Sequence, residues 1–188
     1  MSDIRIVSFT GPSGAGKTSI IKELLRSNPS WRLVASYTTR GPRDSDLFGE
    51  YRCNVHEEEF SDPRKNSKFA WTVSMHGNSY GHLRGSIKSA LMGTYPPMWM
   101  LTLTPDLVLE FLKLSGGRAL PIFVLPPEED ILRQRLSKRG ESEEAIVKRI
   151  QDCREWTRDA WASDLPYVFI ENNGTIEETA RQALKILE

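Results

Sequence analysis

The chain has 188 residues, 39% of them hydrophobic and 27% charged, a length and balance that suit one α/β domain with a sizeable core and leave little room for a second. Twenty-five Lys and Arg against 25 Asp and Glu leave no formal net charge, which excludes a broad basic surface for nucleic acid and confines any anion site to a local cluster. No apolar run approaches the roughly 20 residues of a membrane span, and the N-terminus lacks the order of a signal peptide, so the chain reads as cytoplasmic, without a membrane or nucleic-acid partner.

The first element is a β-branched run, Ile4 to Phe9. A glycine-rich break from Thr10 to Gly16 follows, and then Ile20, Ile21, Leu24 and Leu25 recur at helical spacing, giving strand, loop and helix. Leu33 to Tyr37 reads as a second strand, followed by a polar stretch to Glu50 too irregular to be core. Short strands at Tyr51 to Val55, Phe69 to Met75 and Ser79 to Leu83, with a His76-Gly77-Asn78 turn, suggest a small antiparallel insert. Ile87, Ala90 and Leu91 mark a helix, Trp99 to Leu103 a buried strand, Leu107 to Leu114 a helix and Leu120 to Leu125 a strand. Helices from Glu128 to Gly140 and from Ser142 onward, a strand at Tyr167 to Ile170 and an amphipathic helix from Ile176 to Leu187 complete the chain. Strands alternating with helices predict a parallel sheet covered on both faces. Cys53 and Cys153 have neither a CxxC partner nor a His at ligand spacing, and read as isolated thiols.

The break after the first strand is Gly11-Pro12-Ser13-Gly14-Ala15-Gly16-Lys17-Thr18, which fills every fixed position of GxxxxGK[ST] between a strand and a helix. In that setting the loop N–H groups and the helix N-terminus face a phosphate, Lys17 neutralises β- and γ-oxygens, and the Thr18 hydroxyl is available to Mg²⁺. A turn that merely joins two elements has no need of a Lys-Thr pair after its last glycine. The implied cofactors are ATP and Mg²⁺. A second constellation lies at Ser36-Tyr37-Thr38-Thr39-Arg40-Gly41-Pro42-Arg43, followed by Asp46, Gly49 and Tyr51. Two guanidinium forks three residues apart clamp one phosphate, and a phenol completes its coordination.

This segment resembles the acceptor-phosphate stretch of the guanylate kinase family, S-x-T-T-R-x-x-R with an acid, Gly and Tyr after it, although the spacing from Gly49 to Tyr51 is one residue short. The resemblance continues through His76-Gly77-Asn78-Ser79-Tyr80-Gly81, similar to the family's G-N-x-Y-G turn, and through Arg135-Leu136-Ser137-Lys138-Arg139-Gly140 with Lys148-Arg149, similar to its lid. It implies a P-loop core over 1–33 and 96–188, an acceptor-binding insert of about 34–95 and a helical lid of about 137–145. It also implies Lys17, Arg40, Arg135, Arg139 and Arg149 as catalytic groups, and Ser36, Arg40, Arg43, Tyr51 and Tyr80 at the acceptor. Asn172 of Asn172-Asn173-Gly174 falls where the family's adenine-side loop lies. The implied partners are small molecules, ATP and a phosphorylated acceptor, and the implied assembly is a monomer or homodimer.

Departures from the family concentrate at the base. Trp71 stands in the place of the base-reading glutamate, His82 in that of a Ser or Thr, and Thr102-Leu103-Thr104 replaces a D-x-D at the end of the third core strand, with Asp106, two residues on, expected to substitute in part for its acids at the Mg²⁺. These replacements place Trp71, His82 and Thr102 in the expected acceptor pocket. GMP or dGMP is the default acceptor, with another nucleotide or ribose 1,5-bisphosphate as the alternative, because the bacterial ribose bisphosphate phosphokinases share the loss of base readout. An inactive guanylate-kinase-like binding module is the non-enzymatic alternative. His56, His76 and His82 are scattered and read as surface or turn residues, not catalysts, and Trp156 and Trp161 as helix packing.

Overall fold

The computed structural model describes residues 4–44 and 46–187; the outermost positions of the expected core, 1–3 and 188, lie outside them. Strand β1 (Ile6–Thr10) is followed by the glycine loop and α1 (Lys17–Ser27), then by β2 (Arg32–Leu33), β3 (Ser36–Thr38) and β4 (Tyr51–Arg52). Two single-turn helices, α2 (Glu58–Ser61) and α3 (Pro63–Asn66), lead into the hairpin of β5 (Phe69–Met75) and β6 (Asn78–Leu83) and then α4 (Arg84–Met92). The remainder is β7 (Trp99–Leu103), a 3₁₀ turn over Pro105–Leu107, α5 (Val108–Ser115), β8 (Ala119–Leu125), α6 (Glu129–Ser137), α7 (Glu143–Ala162), β9 (Val168–Glu171) and α8 (Ile176–Leu187).

Five strands form a parallel sheet in the order β2-β7-β1-β8-β9, with β1 at its centre. Alternation along β1 divides the core: Val7 and Phe9 face α1 and α8, where Ile20, Ile21, Leu24, Ala180 and Ala183 pack. Ile6 faces the other side, with Ile87, Leu101, Val108 and Phe111 of α4, β7 and α5. Helices thus cover both faces, as the alternating elements predict. The α6–α7 pair closes over a smaller cluster of its own, Leu132, Leu136, Ile146, Ile150 and Cys153.

The expected strand over Leu33 to Tyr37 divides in two. The backbone of Arg32 and Val34 bonds to Met98 and Met100 beside β7, whereas Ser36 bonds to Glu50 and begins a second sheet. That sheet runs β4-β3-β6-β5. It is antiparallel except for the β3–β4 pair, which is parallel. The β5–β6 turn places His76 at φ 50° and Gly77 at φ 74°, the left-handed pair of a tight hairpin. A bulge between Phe69 and Trp71 sets Trp71 opposite His82. The chain thus leaves the first sheet after Leu33 and returns at Trp99, and the carboxyl ends of β1 and β7 face the second sheet across a cleft.

Candidate functional site

That cleft is a cavity of about 460 Å³ at the carboxyl ends of the parallel strands, the place where open α/β sheets take their ligands. One wall is the glycine loop, where Gly11, Pro12, Ser13, Gly14, Gly16, Lys17 and Thr18 all line the cavity. Gly11, at φ 137°, passes so close to the Val124 carbonyl that a Cβ would collide with it, so the loop's first turn requires glycine. Ala15 is fully buried in the first core cluster and lies behind the loop, outside the cavity lining. The Lys17 ammonium donates to the Gly11 and Pro12 carbonyls at 2.6 and 2.8 Å. Burial lowers its pKa to about 8, against the opposing pull of Glu50.

Two expected site residues act on the loop from outside. Asn172, 1% exposed, donates from Nδ2 to the Ala15 carbonyl at 2.7 Å, and its Oδ1 accepts from the Thr179 hydroxyl at 3.2 Å. Arg135 donates to the Gly14 carbonyl at 3.0 Å. Neither lines the cavity. They brace the loop, because α6 and the β9–α8 connection both pack behind it.

The opposite wall comes from the second sheet and the loop after β3. Ser36, Arg40, Arg43, Tyr51, Tyr80 and His82 line it, and Thr102 joins them from β7. Arg40 is fixed before any ligand arrives: both guanidinium nitrogens pair with the Asp46 carboxylate at 2.9 Å, and the fork lies 4.6 Å from the centroid of the Tyr51 ring. Burial opposes the Arg40 charge, but the Asp46 pair outweighs it and holds the pKa above the ordinary arginine value. Asp46 also accepts from the Arg43 N–H at 2.9 Å, which shapes the turn between the two arginines. Burial raises the Tyr51 phenol, which is in hydrogen-bonding contact with Thr102. From the α6–α7 side, Arg139 and Arg149 complete the lining. Arg149 pairs with Glu141, and burial, with Arg43 and Arg149 nearby, lowers the pKa of Arg139. Four guanidiniums and the ammoniums of Lys17 and Lys22 thus line one space, a field suited to polyphosphate.

Trp71 does not line this cavity. Its ring is 6% exposed and packs in the second core cluster, with the Phe111 ring edge-on at 6.1 Å. The indole N–H turns to His82 Nδ1 at 3.0 Å. That bond fixes the proton of neutral His82 on Nε2, a buried nitrogen with no partner among the described residues. Burial lowers the His82 pKa to about 4, so the ring is neutral at physiological pH. Far from being a surface or turn residue, it sits in the wall.

Two further expectations change. Asp106 is exposed on the 3₁₀ turn and faces Tyr167, away from the cavity. Trp156 lines the cavity, whereas Trp161 is 60% exposed and stacks on Phe169 at 3.8 Å. The residue that sequence reasoning missed is Glu50. It is 3% exposed, lines the cavity, and accepts from the Thr18 hydroxyl at 3.1 Å and from the Leu47 N–H at 3.2 Å. The signal was present in the one-residue shortening before Tyr51.

A family model described as guanylate kinase matches residues 3–188. The chain is 33% identical over 172 residues to a guanylate kinase of Methylobacillus flagellatus, covering 87% of this chain and 79% of that protein. It is 29% identical over 191 residues to a guanylate kinase of Clostridium tetani, covering 97% and 83%. The crystal structure of guanylate kinase from Anaplasma phagocytophilum is similar to it in fold, with a TM-score of 0.72 and 24% identity over 99% of this chain and 85% of that one.

Proposed function

This chain belongs to the guanylate kinase family and is an ATP-dependent phosphotransferase, and on that premise we propose that it moves the γ-phosphoryl of ATP onto the phosphate of a small acceptor, with GMP or dGMP as the first candidates. One observation carries the reading: Lys17 of the glycine loop and the Arg40–Arg43 pair line the same cavity, with Arg139 and Arg149 beside them. The loop and Lys17 hold the donor phosphates, and Arg40 and Arg43, with Tyr51 and Tyr80, hold the acceptor phosphate. Arg139 and Arg149 meet the charge that spreads over the transferring group. Phosphoryl transfer depends on positioning and charge neutralisation, so neither His76 nor His82 is needed as a base.

Among the described residues no group of three or more His, Cys, Asp or Glu gathers as a metal site. Thr18 and Glu50 nevertheless form an all-oxygen pair 3.1 Å apart at the loop, the hard-donor chemistry that Mg²⁺ takes when phosphates supply its other ligands. Thr18 would hold the ion there, where it supplies charge neutralisation of the β- and γ-oxygens.

A second acceptor class is supported by one feature. The side chain at the base-reading position, Trp71, points into the core, and neutral His82 stands at the wall in front of it. A guanine edge presents N–H donors that neither group accepts, so an acceptor recognised through its phosphate alone, such as another nucleotide or ribose 1,5-bisphosphate, fits this wall as well. Arg43→Ala and Arg40→Ala test the division of labour. Each is expected to lower kcat/KM for the acceptor by roughly 10²-fold, since a charge-assisted contact contributes about 2 to 3 kcal/mol. ATP affinity should hardly change, and a loss of ATP binding with unaltered acceptor kinetics would reverse the assignment of the two walls.

A further inference from the structure

We propose that Glu50 is the positioning carboxylate of the Mg²⁺ site, taking the part that acids at the end of a core strand play in other P-loop enzymes; this rests on the reading of the glycine loop as a Mg-nucleotide site. Three observations lead to it. In P-loop phosphotransferases an acid near a strand end accompanies the loop Ser or Thr at the metal. Here the end of β7 offers hydroxyls only, Thr102 and Thr104, which bring no charge, and the Thr104 hydroxyl is buried without a partner among the described residues. The other acids lining the cavity are engaged or remote. Asp46 is paired with Arg40 through both oxygens, Asp152 lies 3.4 Å from His76 Nε2, and Asp44 is exposed. Glu50 alone among them hydrogen-bonds a side chain of the loop.

The geometry of that bond gives the role. A carboxylate can only accept, so the Thr18 hydroxyl spends its hydrogen on Glu50 and keeps its lone pairs for a cation. The other Glu50 oxygen is held by the Leu47 N–H, and the Glu50 N–H bonds back to the Leu47 carbonyl at 2.9 Å, so a closed turn aims the carboxylate at α1. The spacing one residue short of the family pattern puts this turn directly against β4. A carboxylate so placed orients the metal-binding oxygen and accepts from the waters of the ion, a contribution typically worth about 10- to 100-fold in metal affinity.

The test compares ATP binding by calorimetry, without acceptor, in Mg²⁺ and in EDTA. Glu50→Gln keeps the shape but removes the charge and one of the two acceptor oxygens that Thr18 and Leu47 share. It is expected to bind metal-free ATP as well as the wild type or better, and to lose about 10- to 100-fold of the Mg²⁺ enhancement, whereas Asp106→Asn keeps that enhancement. A purely structural Glu50 would leave the ratio of the two affinities unchanged. An unchanged ratio in Glu50→Gln would overturn the proposal while leaving the kinase reading in place; a wild type that binds no ATP would overturn both. If Glu50→Gln fails to fold, Glu50→Asp, which retains the charge but withdraws it by one methylene, should lower the Mg²⁺ enhancement without affecting metal-free binding, and an unchanged enhancement there would again overturn it.

Discussion

An ammonium with a pKa near 8 makes the donor wall sensitive to pH on the alkaline side. Lys17 is ordinarily protonated to about 10.5, and burial in the folded loop is what lowers it. Between about pH 8 and 10.5 the unfolded chain keeps a proton that the folded chain has released, so the Lys17 contribution to stability rises with pH across that window. Nucleotide affinity moves the other way, because the phosphates need the charged form. Urea unfolding of the wild type and Lys17→Met at pH 8 and pH 10 should show the wild type gaining on the variant, while wild-type ATP affinity falls over the same interval. Lys17→Ala should abolish transfer with an unchanged far-UV spectrum, and near-normal turnover would remove the loop from the mechanism. Trp71, in the place of the family's base-reading glutamate, faces the core and not the cavity. Trp71→Glu would place a charge against Phe111 and Leu101 and leave a cavity there. It should cost about 3 kcal/mol or more in urea unfolding.

The elements that hold the loop are as consequential as the loop itself. Asn172, at the junction of β9 and α8, joins the Ala15 carbonyl to the Thr179 hydroxyl in a buried chain of hydrogen bonds. Asn172→Ala should cost about 1 to 3 kcal/mol, since both partners lose their bond away from water. For a chain of this size that is about 2 to 4 °C in Tm per kcal/mol. ATP affinity should fall with it while acceptor KM stays constant; an unchanged Tm would show that the loop stands without this brace. The strand-loop-helix of residues 6 to 27 was legible because its glycines, its Lys-Thr pair and its helical apolar spacing are local signals. The division of Leu33 to Tyr37 was not, because nothing in that run marks where its partners change from Met98 and Met100 to Glu50 and His82. Likewise the sequence placed Trp71 on the strand and His82 opposite the turn, but not the direction of the indole, which the bulge at Phe69 and the apolar cluster around Phe111 decide. Glu50 escaped notice for a related reason: the shortened spacing before Tyr51 was visible, but the direction of the carboxylate follows only from the folded Leu47–Glu50 turn.

At the scale of the whole molecule, a chain without formal net charge still gathers a local cluster of cations at one cavity, where the acids Asp46, Glu50 and Asp152 are each held by a neighbouring group. Lys17, Arg40, Arg43, Arg139 and Arg149 come from four separate parts of the sequence, and the two sheets bring them to one cleft. Such an arrangement suits the proposed binding of two phosphorylated molecules end to end, and on that proposal the wall around His82 would read the acceptor's base weakly. The most direct measurement is ATP consumption by the wild-type protein with GMP, AMP, UMP and ribose 1,5-bisphosphate, with phosphorus NMR identifying the product. The expected result is turnover that requires a phosphorylated acceptor and yields a product extended by one phosphoryl group, with a preference among bases well short of the roughly 10⁴-fold that a fully hydrogen-bonded site provides. ATP that binds but is consumed with none of these acceptors, or at a rate indifferent to their presence, would contradict the account.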